Sequence, residues 1–76
     1  MNKARRSSLR VAAGYLDKAI DLIRQAKDEE QDALDNMPES FQNSNQYDSM
    51  ENAIDALEDA LSSIDEAKDC IDRAIA

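Results

Sequence analysis

The chain has no histidine and no tryptophan, and it has one cysteine, one glycine and one proline among 76 residues. Each scarcity excludes something. Without histidine there is no imidazole to act as general base or metal ligand near neutral pH, and no Glu-x-x-His pair of the kind found in helical di-iron sites. A lone Cys70 permits no disulfide within the chain, and with no continuous apolar run after the basic start Met1–Arg6 the expected setting is a reducing cytoplasm. Asp17, Lys18 and Asp21 interrupt the apolar run that begins at Val11, so no span of bilayer length exists and no membrane partner is expected. Gly14 cannot supply a phosphate-cradling loop by itself; it marks either a close helix contact or a tolerated position.

What remains is rich in Ala, Leu, Ile, Asp, Glu and Lys, the composition of long helices. Charge is unevenly placed. Residues 1–27 hold seven basic side chains against two acidic ones, a net of +5, while residues 28–76 hold two against fifteen, a net of −13. The resulting net charge of −8 repels nucleic acid and anionic membranes. Direct nucleic-acid binding through Arg5, Arg6 and Arg10 would have to overcome that field, so the basic N-terminus is expected to fray instead.

Two periodic segments flank one break. The first is expected as helix from about residue 8 to 36, capped by Ser7 or Ser8. Leu9, Leu16, Ile20, Ile23 and Leu34 form one apolar stripe, and Tyr15, Ala19, Leu22, Ala26 and Ala33 form a second beside it. Lys27 and Glu30 interrupt the first, so residues 27–32 should be loosely packed. Pro38 disfavours helical geometry at Met37 and suits the first position of a short turn reaching Phe41; residues 37–48 read as the loop, with Phe41 and Tyr47 as a lid over the bundle end. The second helix is expected over about 49–75. There Met50, Ile54, Leu57, Leu61, Ile64, Ile71 and Ile75 follow heptad spacing, with Lys68 as the one interruption. Ala53, Ala60, Ala67 and Ala74 recur along one flank of that seam, and Glu51, Glu58, Asp65 and Asp72 along the other.

The expected fold is therefore all-α: a single antiparallel two-helix hairpin over residues 1–76 with coiled-coil-like packing, dimerising into a four-helix bundle because one hairpin leaves apolar surface uncovered. A hairpin docked on a different protein is the rival arrangement. The seam that should build the core and the oligomer is Leu16, Ile20, Ile23, Ile54, Leu57, Leu61, Ile64 and Ile71.

No catalytic constellation is present, and no enzyme, cofactor or dedicated metal site is expected. Asp28-Glu29-Glu30-Gln31-Asp32 lacks the glycine turn and closing glutamate of a calcium loop and lies in helix. Cys70 has no histidine partner and reads as a small packing residue. The sharper candidate is the acidic face of the second helix: Glu51, Asp55, Glu58, Asp65, Glu66, Asp69 and Asp72, with Asp59 beside them. These eight acids average about one carboxylate per 4.5 Å of helix axis, close to the roughly 3.4 Å phosphate spacing of a DNA strand. Such a face suits a basic protein surface and suggests a DNA-mimicking inhibitor; the alternative is an ordinary solvated face on a purely structural bundle.

The stretch Asp28-Glu29-Glu30-Gln31-Asp32-Ala33-Leu34-Asp35-Asn36-Met37-Pro38-Glu39-Ser40, extending into Met50–Glu58, resembles small helical-hairpin proteins of Firmicutes and of their phages and mobile elements. The resemblance carries no catalytic motif. It implies a cytoplasmic accessory protein of a bacterium or phage, such as an inhibitor of host defence.

Overall fold

Helix begins earlier than the serines suggest. Asn2 holds extended backbone geometry and its Oδ1 accepts a hydrogen bond from the Arg5 amide at 2.8 Å, satisfying one of the amides that a helix start leaves unpaired. Helix α1 accordingly runs Lys3–Asp35 in the computed structural model, which describes residues 1–76. Ser7 and Ser8 lie inside it, exposed, rather than at its cap, and the basic N-terminus is helical rather than frayed. At the far end the Asn36 amide donates to the Asp32 carbonyl at 3.1 Å and its side-chain Nδ2 donates to the same oxygen at 2.8 Å. Pro38 then turns the chain out of helix into one turn of 3-10 helix at Glu39–Phe41. Ser44 closes the loop from both sides: its hydroxyl donates to the Phe41 carbonyl and accepts from the Tyr47 amide, capping helix α2, Asn45–Ile75.

The connection is thus shorter than the expected 37–48, and the helices longer, at 33 and 31 residues. Residue types favour loop through Asp48, yet Asn45, Gln46 and Asp48 occupy the first turn of α2, where an acid is favoured by the helix dipole.

The two helices pack antiparallel as a rod of 59 × 15 × 13 Å. Ion pairs set their alignment: Asp17 meets Lys68 and Lys27 meets Glu58, ten residues along α1 and ten back along α2, so no slip intervenes. Carried on, that alignment brings Leu9 level with Ala76, and Lys3–Ser8 extends past the end of α2. The apolar stripe Leu9, Leu16, Ile20, Ile23 and Leu34 faces the seam Met50, Ile54, Leu57, Leu61, Ile64, Ile71 and Ile75; all are at least half-buried. Only Ile20, Leu34 and Ile54 are buried, and each keeps 5–8% of its surface exposed. Lys27, Glu30 and Gln31, expected in a loosely packed stretch, are half-buried against α2, with Lys27 held by Glu58 at 3.8 Å. Gly14 makes no close contact, since a Cβ built there would meet nothing within 4 Å.

Open space at a helix-interior glycine gives a clean expectation: Gly14→Ala should stabilise the fold by about 1 kcal/mol. Asn2→Ala should cost about 1 kcal/mol through loss of its cap. Leu57→Asp should abolish cooperative unfolding, while Asp59→Asn should shift stability by less than about 0.5 kcal/mol. Urea denaturation followed by circular dichroism measures all four.

Candidate functional site

Heptad spacing gives each helix two flanks beside its seam, and the ion pairs reveal which flanks meet. Asp17 on α1 and Glu58 on α2 both reach across to a lysine of the opposite seam. The α1 flank bearing Arg10, Asp17, Arg24 and Gln31 therefore lies against the α2 flank bearing Glu51, Glu58, Asp65 and Asp72. Bases on one side oppose acids on the other. Asp17 is the one acid on that α1 flank, and it sits at the one base on the α2 seam, Lys68.

The Asp17 carboxylate accepts a hydrogen bond from Lys68 Nζ and raises the ammonium's pKa above its ordinary value; desolvation acts the other way, and the fields of Asp17, Asp65 and Asp72 add to the rise. All seven carboxylates of the sequence-derived acidic face, Glu51, Asp55, Glu58, Asp65, Glu66, Asp69 and Asp72, are exposed. They do not form one free stripe. Glu58 pairs with Lys27, and Asp65 and Asp72 surround Lys68, whereas Asp55, Glu66 and Asp69 stand outside the contact between helices.

The opposite flanks meet on the other side of the rod, and there the charge disappears. Ala53, Ala60, Ala67 and Ala74 of α2 lie along Ala12, Ala19, Ala26 and Ala33 of α1, a second alanine heptad. The sequence pattern groups the last three of these with Tyr15 and Leu22; Ala12 and the seven-residue repeat shared with α2 stand out once the two helices are laid together. Four of the eight alanines are half-buried and four exposed. Beside them Tyr15 and Leu22 are 70% and 65% exposed.

Elsewhere the surface offers little chemistry. Cys70 is exposed and accepts a hydrogen bond from Arg73 Nη2 at 3.1 Å, in an open depression shared with Glu66, Asp69 and Asp72. No group of His, Cys, Asp or Glu side chains is arranged to hold a metal ion. Of the expected aromatic lid, Tyr47 is half-buried near Leu34 and Ile54, while Phe41 points to solvent. No helix is long and apolar enough to cross a membrane. Comparison with protein families, with curated proteins and with solved structures gave no match.

The raised pKa of Lys68 makes stability depend on pH in a definite direction. A raised folded-state value contributes stability that is fully present below the ordinary lysine pKa, about 10.4, and is lost as pH rises through the folded value. The thermal midpoint of the parent should therefore fall more steeply above about pH 10 than that of Lys68→Met. Equal slopes would show that the Asp17 contact contributes nothing in solution.

Proposed function

We propose that this protein is a non-enzymatic, acidic interaction module: two hairpins assembled as a four-helix bundle, presenting carboxylates to a cationic surface of another protein. The observation that carries the reading is the exposure of every candidate carboxylate along a 31-residue helix. A straight element roughly 46 Å long with this acid density suits a groove built for nucleic acid. Attraction would act over long range and weaken with salt. The resemblance to hairpin proteins of Firmicutes and their phages fits an inhibitor acting in the cytoplasm on a nucleic-acid-binding or host-defence protein.

Assembly is supported by surface area. A folded monomer of 8.5 kDa typically exposes roughly 4,700 Å², and this chain exposes 5632 Å². The excess, about 900 Å², is close to the roughly 800 Å² that each partner gives up in a stable interface. The same excess, with Tyr15 and Leu22 in water, favours a second reading: a purely structural bundle whose acidity only keeps it soluble.

Light scattering after size exclusion should give about twice the chain mass of 8.5 kDa. To test the acidic face, Asp55→Asn, Glu66→Gln and Asp69→Asn are combined, which leaves the contacts of Lys27 and Lys68 in place. The triple variant should remain folded and dimeric. It should lose a stoichiometric partner that the parent captures from bacterial lysate and releases with salt or duplex DNA. Capture of that partner at unchanged strength would leave the structural bundle as the reading.

A further inference from the structure

The outer face of α1 is a second heptad seam. Met1, Arg5, Ser8, Ala12, Tyr15, Ala19, Leu22, Ala26, Glu29 and Ala33 alternate steps of four and three, as the core stripe does, yet α2 covers none of the large side chains among them. A helix with two such seams is built for two neighbours. The face continues onto α2 through Ala60, Ser63, Ala67, Cys70 and Ala74, where the Arg73 guanidinium on Cys70 borders it.

We infer that a second copy of this chain covers this face, related by a two-fold axis at about Asp17, with the two loops at opposite ends. The inference rests on the self-association proposed above and adds the face and the orientation. Three observations select this occupant.

The first is shape. When the α1 seam is laid antiparallel on itself about that axis, Tyr15 falls opposite Ala19 of the second copy, and Leu22 opposite Ala12. Met1 falls opposite Ala33. Every large side chain meets an alanine, the alternation that lets facing helices interdigitate. In the same register Arg5 meets Glu29, the one acid on the seam, so the two charged side chains of the seam neutralise each other.

The second is charge along the rod. Residues 1–19 and 66–76, the half nearest the termini, carry seven basic and four acidic side chains, a net of +3. Residues 20–65, the half nearest the loop, carry two and thirteen, a net of −11. Loops at the same end would stack the two acidic halves; loops at opposite ends set the basic half of each copy beside the acidic half of the other. The third is area: the surface in excess of a typical monomer equals what an isologous interface of ordinary size takes from each partner.

The test places one spin label per chain in the loop, as Asn43→Cys in a Cys70→Ala background, and measures the distance between labels by pulsed electron paramagnetic resonance. Opposite loops predict roughly 65 Å, from about 22 residue steps on either side of the axis at 1.5 Å each. A distance under about 25 Å would place the loops together and overturn the orientation while leaving self-association intact. Separately, Leu22→Glu should lower the dimer affinity at least tenfold with helicity retained at high protein concentration. A dimer indifferent to both Leu22→Glu and Ala19→Glu would overturn the face. A parent that stays monomeric at all concentrations would overturn self-association itself, and this inference with it.

Discussion

A cylinder in contact with one other cylinder can bury only one stripe of its surface. That geometric constraint governs this protein. Helices of 33 and 31 residues touch along a single seam, only Ile20, Leu34 and Ile54 are buried, and none leaves solvent completely. The chain is correspondingly drawn out into a rod, with more surface than its mass calls for. Interior alanines, where larger side chains would fill a thicker core, keep the helices close but contribute little burial of their own. Within the hairpin, stability must come from a well-aligned seam.

Alignment is supplied by charge rather than by shape. A heptad seam of Leu and Ile tolerates a slip of seven residues, because each layer resembles the next. Lys68 removes that freedom. In register it reaches Asp17; slipped by one heptad in either direction it would face Arg10 or Arg24. Lys27, by contrast, finds an acid in each case, since Glu51 and Asp65 flank Glu58 at the same spacing. One lysine therefore specifies the register while the other only strengthens it. Surface ion pairs of this kind contribute little energy, about 0–1 kcal/mol, but the repulsion in the wrong register adds to the discrimination.

The same segregation divides the molecule's surface into faces with different uses. Of the acids of α2 that lie against α1, Glu58 pairs with Lys27 and Asp65 and Asp72 surround Lys68, while Asp55, Glu66 and Asp69 are turned outward. On the far side, alanine flanks meet and carry Tyr15 and Leu22 into water. The hairpin thus separates a charged face from an uncharged one. No group of His, Cys, Asp or Glu side chains is arranged to hold a metal ion, and the exposed Cys70 accepts a hydrogen bond from Arg73.

Periodicity alone determined that residues near 9–34 and 50–75 form two amphipathic helices, that Pro38 separates them, and that Leu57 or Ile64 faces a seam. These follow from spacing, which is a local property with a 3.6-residue period. Boundaries were less legible, because Asn2 and Ser44 act through single hydrogen bonds to amides three residues away, and equally plausible caps for the first helix lay nearby at Ser7 and Ser8. The acidic face was visible as composition, but its division into engaged and outward carboxylates was not. That division depends on which flank of α2 meets which flank of α1, and Glu58 and Asp55 look alike until Lys27 is brought across the hairpin. Only the tertiary structure decides this, because a heptad pattern states that a seam exists and leaves open which residues of the other helix lie across it.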